Sequence, residues 1–163
     1  MAECAVGEQL QSDSLSAVAI WRGLVIGGGV GLTYWCQFKI ATESASFSIP
    51  ETNMPMGTDQ AVACLLPTFD RANLPRALYI SLACPQVKGL DVVRHGLATH
   101  FVKADDLGGL KAELGLFVRK DTSKGEIEAI IDKHATVKFH PSMVRDIANI
   151  DQINYIFQPD SVE

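Results

Sequence analysis

Three observations predict an α/β fold. Short apolar runs of strand length are interleaved with segments whose apolar residues recur at helical spacing. A glycine run, Gly27-Gly28-Gly29 with Gly31 close behind, joins an apolar stretch to a candidate helix. The 163 residues, 47% hydrophobic and 20% charged, suffice for one domain with a real core and are too few for two comfortable ones.

The elements follow in order. Residues 1–15 are small and polar without a clear period and read as a loose leader. Residues 16–21, Ser-Ala-Val-Ala-Ile-Trp, form a continuous apolar run that suits a strand covered on both faces. Arg22-Gly23 interrupts the run, and Leu24-Val25-Ile26 continues it into the glycines. A helix is expected to start within the glycine run and carry residues 32–37. Phe38-Lys39-Ile40-Ala41-Thr42 alternates and reads as a strand, and residues 45–49 as another, ending at Pro50. Asp59 is placed to cap a helix over 61–66, which Pro67 stops. Residues 71–83 read as a helix with Pro75 in its first turn. Residues 88–95 read as a short helix closed by Gly96 at C′, and 97–102 as a strand. Leu107, Leu110 and Leu114 recur at helical spacing behind Asp105 and Asp106; Ile127, Ile130, Ile131 and His134 do so behind Ser123. Residues 141–157 read as one last helix with Val144, Ile147, Ile150 and Ile153 on its apolar side. The pattern yields four or five short strands, and such a sheet needs partners on its edges.

Composition excludes several classes of function. Lysine plus arginine number 14 against 19 acids, a net charge of −5 with no basic block, which disfavours non-specific nucleic-acid binding. Cys4, Cys36, Cys64 and Cys84 form no CxxC pair and read as reduced, buried thiols. No His/Cys/Asp set has metal-ligand spacing. His95 and His100 are expected to face a turn and a strand end, and His134 and His140 a helix end and its following loop. The start carries Glu3, Glu8 and Asp13 and no arginine before Arg22, so it reads neither as a secretory signal nor as a mitochondrial transit segment. The most apolar window, 17–32, is glycine-rich and interrupted by Arg22, and reads as a buried strand and turn, not a membrane span.

The chemistry is expected between residues 21 and 59. A glycine run ahead of a helix lets backbone N–H groups approach a ligand. Glu51 and Asp59, eight positions apart, are candidates for acid, base or nucleophile. Taken singly, each feature has a plainer reading: the glycines as a packing turn, Glu51 as a solvated strand-end carboxylate, Asp59 as a helix cap. There is no G-x-S-x-G elbow, and the glycines fail the dinucleotide pattern at its third position.

Taken together, three stretches carry a resemblance: Gly23-Leu24-Val25-Ile26-Gly27-Gly28-Gly29-Val30-Gly31-Leu32, then Phe38-Lys39-Ile40-Ala41-Thr42-Glu43, then Phe47-Ser48-Ile49-Pro50-Glu51-Thr52. Asp59 follows, and later Lys88-Gly89-Leu90-Asp91-Val92-Val93-Arg94-His95-Gly96-Leu97-Ala98-Thr99-His100-Phe101-Val102. From residue 16 onward the chain resembles the crotonase superfamily and, within it, the 3-hydroxyisobutyryl-CoA hydrolases. The resemblance implies a crotonase-like ββα spiral, of which residues 16–120 are the middle portion of the core. Residues 121–163 are then a helical segment leading into a further C-terminal region. It places most of the spiral, one oxyanion N–H and part of the coenzyme A pocket upstream.

The resemblance also implies roles. Gly28 supplies an oxyanion N–H within the turn Gly27, Gly29 and Gly31. Glu51 stands where the superfamily keeps its catalytic glutamate, attacking a thioester or activating water, and Asp59 matches the aspartate that orients the substrate's 3-hydroxyl. Gly31 stands where hydratases carry a second glutamate, which points to the hydrolase branch. The chain departs from the hydrolases at Pro55, Gly57 and Thr58, at Gln60-Ala61-Val62-Ala63 where small glycines are usual, and at Arg22. The implied reaction is hydrolysis of 3-hydroxyisobutyryl-CoA to 3-hydroxyisobutyrate and coenzyme A, a step of valine breakdown, in mitochondria. Coenzyme A belongs to the substrate, so no separate cofactor and no metal is expected. The expected partner is an acyl-CoA, with no nucleic acid and no membrane, in a homo-oligomer or larger assembly. Two readings stand beside it: a catalytically degenerate structural subunit, such as one in mitochondrial ribosomes, and, more weakly, an enoyl-CoA hydratase or isomerase.

Overall fold

The computed structural model describes residues 16–54, 74–117 and 122–158. The leader, Asp59, its helix over 61–66 and the departures at 55–63 lie outside the described residues.

Among those residues, seven short strands form two sheets. The first sheet has the order β1 (Val18–Trp21), β3 (Phe38–Ala41), β6 (His100–Phe101), β7 (Val137–Lys138). The second has the order β2 (Leu24–Ile26), β4 (Ser46–Ser48), β5 (Val87–Lys88). β1, β3 and β6 run parallel, as do β2 and β4; β5 and β7 are antiparallel to their neighbours.

The apolar run from 16 to 26 is therefore two strands in two sheets. Gly23, at φ +89, turns the chain between them, and its carbonyl accepts a hydrogen bond from Ser46 N at 2.8 Å. That positive φ is one L side chains rarely adopt. The helix expected over 32–37 is earlier: α1 spans Gly28–Thr33, and a turn follows it. Trp21 Nε1 donates to Thr33 Oγ1 at 2.9 Å and ties the end of β1 to the end of α1. β3 does not alternate, because both Ile40 and Ala41 are fully buried in a sheet covered on two faces.

Two cores result. The first gathers Trp21, Val25, Val30, Phe47, Ile49, Ala77, Ile80, Val92, Val93 and Leu97, with the Trp21 and Phe47 rings 5.8 Å apart. It draws on α2 (Leu74–Leu82), which has Pro75 in its first turn, and on α3 (Leu90–Arg94). The expected helix over 88–95 shortens to α3 because Val87 and Lys88 pair with Phe47 and Ser46. Gly96 follows at φ +70, as a C′ glycine does. The expected strand over 97–102 contributes only two residues to a ladder, while Leu97 and Ala98 are buried in the turn before it.

The second core gathers Phe38, Ile40, Val102, Leu107, Leu110, Ile127 and Ile131. It lies under α4 (Leu107–Phe117) and α5 (Lys124–His134), the two helices the apolar spacing predicts. A capping box holds the start of α5: Glu126 N donates to Ser123 Oγ, and Ser123 N donates to the Glu126 carboxylate at 2.8 Å. The single helix expected over 141–157 is broken. A 3-10 turn, Pro141–Asp146, precedes α6 (Ile150–Ile156), and Asn149 between them adopts a left-handed φ of +62. Asparagine is among the few side chains that tolerate that conformation. Cys36 is a buried free thiol and Cys84 a half-buried one. No described helix is long and apolar enough to cross a membrane.

Candidate functional site

β2 and β4 run parallel in the register Ile26↔Ser48, so the residues that follow them emerge at one edge of the sheet. Gly27 follows one strand; Ile49, Pro50 and Glu51 follow the other. Ligand sites of α/β sheets favour such carboxyl ends.

Gly27 occupies the N-cap of α1 at φ +54, and a Cβ built on it would lie 3.2 Å from Glu51 Oε1. Glycine thus serves twice, for the left-handed turn and for the close approach of the carboxylate. Its carbonyl accepts from Val30 N at 2.9 Å and Gly31 N at 3.1 Å. The amides of Gly28 and Gly29 precede those of Val30 and Gly31 in the helix, where N–H groups have no intrahelical acceptor. Gly29 is exposed, whereas Gly31, two residues further along α1, is buried.

Glu51 is not a solvated strand-end carboxylate. It is 4% exposed, on a 3-10 turn over Pro50–Asn53, and its Oε2 has no hydrogen-bond partner among the described residues. The next residue anchors the turn: Thr52 Oγ1 donates to Ser81 O at 3.3 Å, at the end of α2, and touches the Cys84 thiol. The structure therefore brings together Gly27, Gly28 and Glu51 of the expected site; Asp59 lies outside the described residues.

The other titratable groups are arranged differently. A cavity of about 390 Å³ lies between α3 and the turn into α6, lined by Tyr79, Lys88, Arg94, His95 and Ile153 among others, and neither Gly27 nor Glu51 lines it. Burial, then the nearby Arg76 charge, pushes the His95 imidazole down to about 4. Burial likewise pushes the Lys39 ammonium down to about 8; its Nζ donates to Tyr34 O at 3.0 Å and Cys36 O at 3.1 Å.

One cluster goes beyond what motif spacing reveals. His100, 2% exposed on β6, has Nδ1 2.8 Å from Thr99 Oγ1 and Nε2 2.9 Å from Asp132 Oδ1 on α5. Burial lowers its pKa, and the Asp132 bond opposes that shift. Lys138 Nζ, on β7, donates to Glu128 Oε1 at 2.7 Å and Asp132 Oδ2 at 2.9 Å. The one local signal for this cluster is the i,i+4 spacing of Glu128 and Asp132, which puts both acids on one helix face.

The family model for enoyl-CoA hydratase/isomerase matches residues 3–163. The mitochondrial 3-hydroxyisobutyryl-CoA hydrolases of Xenopus laevis and Homo sapiens are 32% and 33% identical over 150 and 149 residues. In each case the match covers 90% of this chain and 37% of the relative, so the chain spans little more than a third of their length. Among solved structures, a carnitinyl-CoA dehydratase from Mycobacterium thermoresistibile superposes with a TM-score of 0.70 at 18% identity, over 99% of this chain and 45% of that one. A Thermobifida fusca protein solved in complex with acetoacetyl-CoA superposes with a TM-score of 0.59 at 18% identity, over 91% of this chain and 55% of that one. At these identities the structural likeness shows the fold.

Proposed function

This chain belongs to the enoyl-CoA hydratase/isomerase (crotonase) family, and from that premise we propose that it carries the glutamate and one oxyanion donor of a coenzyme A thioester hydrolase acting on 3-hydroxyisobutyryl-CoA. The observation that carries the proposal is the buried Glu51 carboxylate set against Gly27 at the head of α1.

A thioester carbonyl gains negative charge on oxygen as a nucleophile adds to its carbon. The Gly28 N–H receives that oxygen, and losing one such donor typically costs on the order of 10²–10³ in rate. Glu51 either adds to the carbonyl carbon through a carboxylate oxygen or takes the proton of an attacking water. In the covalent route the C–S bond breaks as the coenzyme A thiolate leaves, giving an acyl–Glu51 anhydride that water then hydrolyses to free the acid and regenerate the carboxylate. In the water route the tetrahedral intermediate collapses directly to the acid and the thiolate, which takes up the proton held by Glu51. Asp59 orients the 3-hydroxyl, and by the family resemblance the second oxyanion donor comes from a segment upstream of the glycine turn. The mitochondrial relatives support a mitochondrial location. The altered segment 55–63 favours a second reading, a non-catalytic partner protein of the same fold.

The test uses the full-length protein from its source and follows release of free coenzyme A from 3-hydroxyisobutyryl-CoA. Glu51→Gln is expected to lower kcat by about 10³-fold or more with little change in melting temperature. Asp59→Asn is expected to penalise 3-hydroxyacyl substrates more than those lacking the hydroxyl. Turnover unaffected by Glu51→Gln would overturn the assignment, and an intact fold without turnover would favour the partner-protein reading.

A further inference from the structure

His100, Glu128 and Asp132 converge on one point from β6 and α5, elements that carry neither Gly27 nor Glu51. One ligand-capable atom of each lies within 4.8 Å of the others. The imidazole is 2% exposed and fixed, whereas the two carboxylate side chains are 42% and 41% exposed and free to adjust. A tetrahedral site with bonds of 2.0–2.1 Å needs its ligand atoms about 3.3 Å apart, so Asp132 Oδ1 must back off slightly from its 2.9 Å approach to Nε2 while the widest pair closes by at most roughly 1.5 Å, within the swing of an exposed side chain.

An imidazole that ligates through Nε2 needs its proton on Nδ1 and an acceptor for it. Thr99 Oγ1 lies 2.8 Å from Nδ1, and its own hydroxyl has a second acceptor, Lys39 O, at 2.9 Å. With a proton on Nε2, the hydroxyl donates to Nδ1 and Nε2 donates to Asp132. With an ion on Nε2, Nδ1 donates to Thr99 and the hydroxyl turns to Lys39. Thr99 and Lys39 O are in place for either arrangement.

The cation position has an internal occupant. Lys138 Nζ bridges Glu128 and Asp132, on a side chain 48% exposed that can swing into solvent. Beside it opens a cavity of about 200 Å³ lined by Thr99, His100, Glu128, Lys138 and Phe139 among others, with room for a water on a fourth coordination position.

We propose that His100, Glu128 and Asp132 form a binding site for a divalent transition-metal cation of the Zn²⁺ type, which displaces the Lys138 ammonium. One imidazole with two carboxylates suits zinc better than calcium or magnesium, which take oxygen ligands alone. With the lysine displaced, the ion's charge balances the two carboxylates.

The test titrates the full chain with ZnCl₂ by calorimetry and with Co²⁺ by its visible absorption. One ion per chain is expected. Lys138→Met should tighten binding by about tenfold, because the competing cation is gone, while Glu128→Gln and Asp132→Asn should each weaken it by about tenfold or more. These three side chains are partly exposed, and circular dichroism checks that each variant stays folded. The proposal is overturned by an absence of saturable binding up to about 1 mM Zn²⁺. It is equally overturned if Glu128→Gln and Asp132→Asn leave binding unchanged, which would put the ion elsewhere, or if Lys138→Met fails to strengthen it.

Discussion

Around Trp21, Phe47 and Ile49 the chain buries a carboxylate, Glu51, whose Oε2 has no hydrogen-bond partner among the described residues. Around Ile40, Leu110 and Ile131 it keeps acids at the rim and pairs them: Glu113 with Lys133 and His134, Glu126 with Ser123, and both Glu128 and Asp132 with Lys138. The contrast separates two uses of the same functional group. An exposed, paired carboxylate contributes modestly to stability and has its lone pairs engaged. A buried carboxylate without such partners weakens the fold, and in the proposed function its oxygen would be available to a substrate. The two regions thus differ in how they treat their acids: paired at the surface of the α4–α5 layer, and buried beside Gly27 at the β2–β4 edge, where the proposed chemistry would lie.

The largest effect is expected in the paired half. Ile131 is fully buried, so Ile131→Ala should cost about 2–5 kcal/mol in denaturant unfolding. A loss well under 1 kcal/mol would mean that the second core is not packed as described.

Gly27→Ala tests the other half and should cost about 1–2 kcal/mol, because alanine is strained at φ +54. The added Cβ would also stand 3.2 Å from Glu51 Oε1 and push the carboxylate aside. In the full-length protein, turnover should therefore fall further than the stability loss alone would produce. Normal kcat in a folded Gly27→Ala variant would break the link between the turn and the carboxylate.

The smallest effect is a pH dependence. The folded His95 titrates near 4, below the ordinary histidine value of 6.5. Between those values the unfolded chain binds a proton that the folded chain does not, so stability falls as pH drops through that window. His100 is shifted in the same direction and adds to the slope, so His95→Gln should lessen it without abolishing it. The pairs of the second core respond lower. Lys133 holds Glu113, the Ser123 hydroxyl holds Glu126, and Lys138 holds Asp132 below ordinary carboxylate values. Their contribution is present above the usual carboxylate range and is lost as pH falls through the lowered values. Melting temperatures of both proteins from pH 7 to pH 3 check this; superimposable profiles would remove His95 from the account.

Much of the second half was legible beforehand because its signals are local. Leu107 and Leu110, Ile127 and Ile131, and the Ser123–Glu126 box act within a few residues of one another, and both helices form where expected. Gly96 ends α3 as its position after His95 foretold. The misreadings share the opposite property. Residues 24–26 look like a continuation of β1 until their partner, β4, is known. Val87 and Lys88 look like the start of a helix until Phe47 and Ser46 pair with them. The last helix keeps its apolar spacing across Asn149, and the turn there overrides that spacing.

The site divides along the same line. Sequence alone determined the family resemblance and the glycine turn and singled out Glu51 as a candidate, since each rests on a short string of neighbouring residues. Only the tertiary structure decided that Glu51 is buried against Gly27 and that His100 meets Asp132. The first depends on the parallel register of β2 with β4, and the second on the packing of α5 beside β6. Both contacts join residues 24 to 32 positions apart, and their geometry is set by packing between elements, which no local pattern encodes.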